Sequence, residues 1–269
     1  MDDIRDIMEY YDADPLREDT RLERHQLEVD LTWRTLEKYL PRQGRLMEVG
    51  AATGRYTREL ARRGYIVTAV DLSRGLLEVN RARLEAAGLA GQVTLMQADA
   101  RDLSTVSAGD FDAVLMMGPF YHLVREEDRR IALRQAAARL KPGGVVFSAF
   151  ISRLGIMGDL MKKMPGWIED RAEVQSILRE GRDPDHEPSG GFRGYFATVE
   201  EIAPLHEALG FETLTLAGME PAIGADDESY NCLEGDLRRL WLDLLEEIST
   251  EKNILAASRH LLYVGRKIA

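Results

Sequence analysis

The stretch Arg45-Leu-Met-Glu-Val-Gly-Ala-Ala-Thr-Gly-Arg-Tyr-Thr-Arg-Glu-Leu60 decides the fold. Its apolar run over residues 46–49 is typical of a buried parallel strand. Gly50 and Gly54 then mark a tight turn, because glycine is used where the backbone turns sharply or approaches a ligand closely. Helical periodicity begins at Gly54. A strand, a glycine turn and a helix together predict a ligand crevice at the carboxyl end of the strand.

The spacing around this turn narrows the class of ligand. A dinucleotide fingerprint would need glycines where the chain has Ala52 and Arg55, and the Gly-Lys-Ser/Thr of a phosphate loop is absent. A second strand, residues 65–70, ends in Asp71, 21 residues after Gly50. An acid at that distance can accept hydrogen bonds from ribose hydroxyls, so we expect a nucleoside-containing ligand.

The same alternation of strands and helices continues along the chain. Strands are predicted at residues 93–97, 111–117 and 145–150, with helices at 73–87 and 126–140. Repeating units of this length predict an α/β fold with a doubly wound, mostly parallel sheet and right-handed crossovers.

Four ordered features carry a resemblance to a known family. They are Glu48-x-Gly50-x-Ala52-x-Gly54, Asp71 with Asp99 after the third strand, Gly118-Pro-Phe-Tyr-His-Leu123, and Leu140-Lys-Pro-Gly-Gly144. Together they resemble the class I methyltransferases that use S-adenosylmethionine (SAM), although Ala52 stands where that family usually has a glycine. The resemblance implies a Rossmann-like sheet of seven strands. The sixth strand (211–216) and the last (260–265) would lie side by side and antiparallel.

The resemblance also implies site residues, with SAM as the cofactor and S-adenosylhomocysteine as its product. The expected cofactor contacts are Glu48, Gly50, Ala51, Ala52, Gly54, Tyr56, Asp71, Leu72, Asp99, Ala100, Met117 and Tyr11. His122 is the candidate general base because its pKa suits proton transfer near neutrality, with Tyr121 beside it. Alternatively, His122 orients its loop and Tyr121 lines the pocket. Candidate substrate contacts are His186, Arg193 and Tyr195, or these are ordinary solvated loop residues.

Four segments are predicted along the chain. Residues 1–40 form an N-terminal helical lid with a helix over 20–40, and residues 41–150 form the SAM-binding core. Residues 151–197 are a cap insertion with a helix at 167–180, and residues 198–269 complete the core, with a helical insertion at 219–259. We expect the lid and both insertions to enclose the acceptor. These segments hold all three tryptophans, and the alternation of strands and helices in the core is complete without these segments.

Composition excludes several classes of protein. The chain has 269 residues, a formal net charge of −11 and one cysteine, which fits a cytoplasmic protein without intrachain disulfides. Its acidity argues against a nucleic-acid partner. There is no apolar run long enough for a membrane helix and no histidine or cysteine spacing typical of a metal site.

Three functions follow from these observations. The leading one is a SAM-dependent methyltransferase that acts on a small molecule by in-line displacement. The alternatives are a tRNA or other RNA methyltransferase, and a SAM-binding regulator without catalytic activity. The sequence leaves the acceptor, the methylated atom and the oligomeric state open.

Overall fold

The computed structural model describes residues 4–16, 23–182, 194–223 and 226–268. A single sheet runs through these residues. Its strands are β1 (Arg45–Val49), β2 (Ile66–Asp71), β3 (Val93–Gln97), β4 (Phe111–Met116), β5 (Leu140–Ser152), β6 (Phe196–Ala197), β7 (Phe211–Gly218) and β8 (His260–Lys267).

The sheet has the order β3-β2-β1-β4-β5-β8-β7, and the two-residue β6 pairs with β5. Strands β1 to β5 are mutually parallel, whereas β8 is antiparallel to both of its neighbours, β5 and β7. The predicted doubly wound, mostly parallel sheet is therefore confirmed, with the short β6 as an additional strand. The order reverses between β1 and β4, so a crevice opens at the carboxyl ends of these two strands.

Eleven α-helices are described in these ranges. They are α1 (Arg5–Ala13), α2 (Gln26–Tyr39), α3 (Arg55–Arg62), α4 (Arg74–Ala86), α5 (Glu126–Arg139), α6 (Met157–Lys163), α7 (Arg171–Glu180), α8 (Val199–Glu207), α9 (Glu228–Asn231), α10 (Gly235–Ile248) and α11 (Lys252–Leu255).

Two helix boundaries differ from the predictions. The helix predicted over residues 20–40 is interrupted at His25, because residues 23–24 are helical and α2 begins at Gln26. The helix predicted from Trp167 is a 3-10 segment, Pro165–Glu169, followed by α7. Asp170 starts α7 there because its carboxylate accepts the N–H groups of Ala172 and Glu173.

Buried apolar side chains cover both faces of the sheet. On one face, residues such as Met47 and Val114 pack with Leu133 of α5 and Ile202 of α8. On the other face lie Leu46, Leu115 and Phe147, with Leu31 of α2, Leu60 of α3 and Leu245 of α10. Adjacent strand residues thus point to opposite faces, as a sheet buried on both sides requires.

The apolar stripe of α10 does not pack as the amphipathic pattern suggests. Leu245 is buried, but Leu237, Leu240, Trp241 and Leu244 are 45–63% exposed. Trp241 therefore lies on the outer surface rather than over a pocket. No helix in the described part of the chain is long and apolar enough to cross a membrane.

Candidate active site

A cavity of about 1330 Å³, including its open mouth, lies at the carboxyl ends of β1, β2 and β4. Its lining also includes residues of α1 and α2, and the start of β8. Since β8 is antiparallel to β5, its first residues share an edge with the carboxyl end of that strand. The cavity thus crosses the point where the strand order reverses.

The glycine turn after β1 forms the floor of this cavity. Gly50, Ala52 and Gly54 all have positive φ, at 79°, 47° and 82°. A Cβ on Gly50 would lie 3.0 Å from Pro119 Cδ and 3.2 Å from the Gly118 backbone. The loop after β4 therefore approaches the turn so closely that Gly50 leaves no room for a side chain.

Asp71 ties this turn to the tip of β2. Its carboxylate accepts the backbone N–H of Ala52 at 2.8 Å and that of Ser73 at 2.9 Å. Burial raises the pKa of the Asp71 carboxyl to about 6, although the hydrogen bonds from these backbone amides lower that pKa. Each carboxylate oxygen has a second lone pair, so Asp71 can still accept a hydrogen bond from a ligand hydroxyl.

Glu48 lies at the end of β1 and is 1% exposed. Burial raises the pKa of the Glu48 carboxyl to about 8. The hydrogen bond from the Thr57 hydroxyl lowers this pKa, and the nearby Asp71 carboxyl raises it further. At neutral pH the protonated form therefore dominates, and this part of the cavity wall carries little charge. A cationic ligand group beside Glu48 would favour its ionised form.

Asp99 follows β3 and lines the cavity. Arg101, which does not line the cavity, binds the Asp99 carboxylate. The Arg101 guanidinium lies 2.7 Å from Asp99 Oδ2 and 2.8 Å from Asp128 Oδ2. Arg101 and Asp128 are both buried, whereas the Asp99 side chain is 25% exposed. This arrangement fixes the Asp99 carboxylate at the cavity wall, where an exocyclic amino group could donate to it.

Helix α1 closes the cavity from the N-terminal side. The Tyr11 hydroxyl lies 2.8 Å from His122 Nε2, in the loop after β4. The Asp12 carboxylate binds the Ser73 hydroxyl and accepts the Gly75 N–H at 3.1 Å, so α1 is attached to the start of α4. The N-terminal segment covers the pocket, with Ile4, Ile7 and Met8 completing its wall.

Tyr121 lies in the cavity wall, whereas Tyr195 lies behind it. Tyr121 lines the cavity, but its hydroxyl donates to the Met117 carbonyl at 3.0 Å and so stabilises the loop. Tyr195 was expected to contact substrate; it is instead 5% exposed and does not line the cavity. Its ring packs on Arg129, 3.4 Å from centroid to guanidinium carbon, and its N–H donates to the Tyr121 carbonyl. Tyr195 therefore supports the loop from behind.

Most of the predicted cofactor residues come together in the structure. The cavity is lined by Tyr11, Glu48, Gly50, Ala51, Ala52, Tyr56, Asp71, Leu72, Asp99, Ala100, Met117, Tyr121 and His122. Gly54 does not line it, because its role is to turn the chain against the Asn80 side chain. His186 and Arg193 lie outside the described residues.

The two insertions contribute less to the cavity than we expected. None of the described residues of 151–197 lines it, and from 219–259 only Met219 does. Trp167 packs instead beside a separate apolar cluster of Ile151, Ile177 and Phe196. The expectation that tryptophans from these segments enclose the acceptor is therefore wrong for the described part of the chain.

A group of residues at the other end of the cavity was missed by the sequence analysis. Glu28 and Thr32 of α2 line this end, together with Met219 and His260. Glu220, which is fully buried, lies behind His260. These residues come from three distant segments, and only the helical spacing of Glu28 and Thr32 gave a local signal.

Comparison with known families identifies the core. The family described as "Methyltransferase domain" matches residues 46–144. Residues 46–144 are a methyltransferase domain. The predicted resemblance to class I methyltransferases is thereby confirmed, and the matched residues include the glycine turn, Asp71, Asp99 and the loop after β4.

Curated relatives match part of the chain. The ubiquinone biosynthesis O-methyltransferase of Xanthomonas axonopodis pv. citri is 35% identical over 113 residues, which is 42% of this chain and 45% of that protein. The chain thus matches less than half the length of this relative.

Solved structures share the whole fold at low identity. A SAM-dependent methyltransferase from Methanosarcina mazei has a TM-score of 0.61 at 18% identity, covering 87% of this chain and 97% of that one. Another, from Mesorhizobium loti, has a TM-score of 0.59 at 19% identity, covering 90% and 100%. These structures confirm the class I methyltransferase fold beyond the matched domain.

Proposed function

We propose that this protein is a SAM-dependent methyltransferase for a small-molecule acceptor. The observation that carries the proposal is one continuous cavity. It begins at the glycine turn with Asp71 and Asp99 and ends at Glu28 and His260. A cavity that joins a nucleoside site to a second, separately lined end suits transfer between two bound molecules.

The cofactor end fits SAM in three respects. The Asp71 carboxylate at the tip of β2 is suited to ribose hydroxyls, and Asp99 is suited to an adenine amino group. The closely packed turn at Gly50 lets backbone approach the ligand. Glu48 offers a carboxyl group to the positively charged methionine part.

SAM supplies a methyl group that is already electrophilic, so the protein chiefly has to orient the acceptor and exclude water. Helix α1, attached through Tyr11 and Asp12, covers the cavity and limits its contact with solvent. Apolar side chains such as Met8, Met117 and Met219 also line the cavity. Holding two reactants in line can contribute up to about 7–11 kcal/mol to lowering the barrier. The apolar wall and the lid favour a small acceptor over a nucleic acid.

Calorimetric titration with S-adenosylhomocysteine tests the cofactor site. We expect Asp71→Asn to weaken binding by roughly 1–3 kcal/mol, because a charged acceptor of ligand and backbone hydrogen bonds is lost. Asp112→Asn is the matched control, since Asp112 also accepts a backbone N–H, that of Arg45, but does not line the cavity. Tight NAD binding without binding of S-adenosylhomocysteine would contradict the proposal.

The acceptor class is tested by transfer of labelled methyl from SAM to fractionated small molecules and to RNA. We expect label in the small-molecule fraction. Label in RNA would favour the alternative RNA methyltransferase, and tight SAM binding without any transfer would favour the regulator.

A further inference from the structure

The far end of the cavity contains a histidine–carboxylate pair formed by the start of β8 and the residues after β7. His260 Nδ1 lies 2.5 Å from Glu220 Oε1, and His260 lines the cavity. Glu28 of α2 lies on the cavity side, with its Oε2 3.5 Å from the same Nδ1. Glu220 is fully buried, so His260 forms part of the cavity wall and Glu220 lies behind it.

Glu220 is held in place by several donors. Its Oε2 accepts the His260 backbone N–H at 2.9 Å and the Ser258 hydroxyl at 3.2 Å. The Arg259 Nε lies 3.5 Å from Oε1. These donors and the adjacent guanidinium fix the orientation of the Glu220 carboxylate.

We propose that Glu220 and His260 form a general-base pair for an acceptor that arrives as an O–H acid, such as a phenol. This inference rests on the proposed methyltransferase function and names its acceptor class. Donation from Nδ1–H to Glu220 fixes the tautomer in which Nε2 carries the lone pair. His260 is then the catalytic residue and Glu220 the positioning residue.

The step balances without any further reactant. His260 Nε2 takes the hydroxyl proton while the acceptor oxygen bonds to the methyl carbon. The methyl–sulfur bond breaks, and its electron pair stays on sulfur. The resulting imidazolium is stabilised by the Glu220 carboxylate, as in other histidine–carboxylate pairs.

A metal ion is the competing interpretation of Glu28, Glu220 and His260, whose potential ligand atoms all lie within 4.8 Å of one another. The donors around Glu220 argue against it. A cation bound to Oε1 would displace the Nδ1–H bond and face the Arg259 guanidinium, which also binds Asp159 and Asp227. The geometry thus favours a proton-transfer pair.

Histidine NMR tests the tautomer without any acceptor. In protein labelled with ¹⁵N-histidine and bound to S-adenosylhomocysteine, we expect Nδ1–H and an unprotonated Nε2 for His260 at pH 8, assigned by the loss of its signals in His260→Gln. Glu220→Gln should shift protonation toward Nε2. An Nε2–H tautomer in the wild type overturns the proposal. Displacement of the Nδ1 proton by added Zn²⁺ or Mg²⁺ at stoichiometric concentration also overturns it.

Absorbance of 4-nitrophenol tests the base function, because its anion and neutral form absorb differently. In the complex with S-adenosylhomocysteine, we expect the bound probe to be the anion at a pH where the free probe is mostly neutral. His260→Gln should reduce the bound anion at least tenfold. Failure of the probe to bind, or binding as the neutral form, overturns the proposal.

His25→Gln is the matched control. His25 is also a buried histidine paired with a carboxylate, with its Nδ1 2.9 Å from Asp227, but it does not line the cavity. We expect normal probe ionisation in this variant. Binding of S-adenosylhomocysteine is measured first, so loss of the cofactor site is distinguished from loss of the base. Circular dichroism of each variant confirms folding, and His260→Gln alone suffices if Glu220→Gln does not fold.

Discussion

The two ends of the cavity each bury a glutamate, but the two carboxyl groups receive different numbers of hydrogen bonds. Glu48 at the cofactor end is 1% exposed and receives one side-chain hydrogen bond, from Thr57. Glu220 at the far end is fully buried and receives hydrogen bonds from Ser258 and from two groups of His260. The carboxyl group at the far end therefore has more donors to satisfy it and to hold its orientation than the carboxyl group at the cofactor end.

The histidines at the two ends differ in the same way. His122 has the neutral Tyr11 hydroxyl at Nε2, contributed by a helix of the lid. His260 has the Glu220 carboxylate at Nδ1, and Glu220 lies two residues after the end of β7. His122 is therefore suited to hold the lid closed, whereas His260 is suited to accept a proton.

The largest expected effect is the pH dependence that Glu48 gives to the stability of the protein. The pKa of the Glu48 carboxyl is raised from 4.5 to about 8 in the folded state, so the folded protein holds a proton that the unfolded chain releases. Its contribution therefore destabilises the fold as pH rises from about 5 to about 8, by up to about 1.4 kcal/mol per pH unit.

Denaturant unfolding at pH 5, 6.5 and 8 measures this effect. Glu48→Gln should reduce the decline in the free energy of unfolding and stabilise the protein at pH 8, while the decline below about pH 6 that comes from the raised pKa of Asp71 remains. Glu220→Gln should instead destabilise it by about 1–3 kcal/mol, since charged hydrogen bonds are lost. Equal behaviour of the two variants at pH 8 would contradict the distinction between the two ends.

The second effect tests the turn at the cofactor end. Gly54 has φ of 82°, and a Cβ there would lie 2.0 Å from Asn80 Oδ1. Gly54→Ala should lower the free energy of unfolding by roughly 2–4 kcal/mol, combining backbone strain with displacement of Asn80. Gly64→Ala is the control, because Gly64 has φ of 91° with nothing within 4 Å of its Cβ position. Equal losses in both variants would show that Asn80 moves away without cost.

The contrast between the ends also explains what the sequence could predict. The cofactor end is built from short local units, and Gly50, Asp71 and Asp99 each follow directly after a strand. Because parallel strands end at one edge, their order along the chain was enough to bring these residues together. Ser73, the first residue of the helix predicted at 73–87, is the N-cap of α4, where its hydroxyl accepts the Leu76 N–H.

The far end could not be predicted in this way. Glu28, Glu220 and His260 are brought together by the packing of α2 on β8 and by the antiparallel pairing of β7 with β8. No spacing along the chain encodes that contact. Tyr195 was misplaced for a related reason, since its sequence neighbours suggested a loop while its ring packs on the distant Arg129.

A smaller effect concerns the lid. Tyr11→Phe removes the hydroxyl that lies 2.8 Å from His122 Nε2. We expect binding of S-adenosylhomocysteine to weaken by about 0.5–1.5 kcal/mol, with faster hydrogen exchange in α1, because one hydrogen bond holding the lid is lost. Tyr65→Phe is the control, since its hydroxyl donates to the Pro41 carbonyl and it does not line the cavity. Unchanged exchange in α1 would show that other contacts hold the lid.

The smallest effect tests Ala52, which stands where related methyltransferase loops usually have glycine. Its φ of 47° lies in the left-handed region, which costs a non-glycine residue about 1–2 kcal/mol. Glycine removes that strain but adds about 0.5–1 kcal/mol of unfolded-chain entropy. Ala52→Gly should therefore raise the free energy of unfolding by about 0.5–1 kcal/mol.

Ala51→Gly is the comparison variant, and we expect it to change the free energy of unfolding in the opposite direction. Ala51 is 3% exposed and does not have a positive φ, so Ala51→Gly should lower the free energy of unfolding by about 1 kcal/mol. Denaturant unfolding of both variants, with and without S-adenosylhomocysteine, measures the difference. A loss of stability in both would mean that Ala52 is not strained. Stabilisation by Ala52→Gly in the free protein with weaker ligand binding would mean that the alanine holds the turn in its ligand-binding conformation.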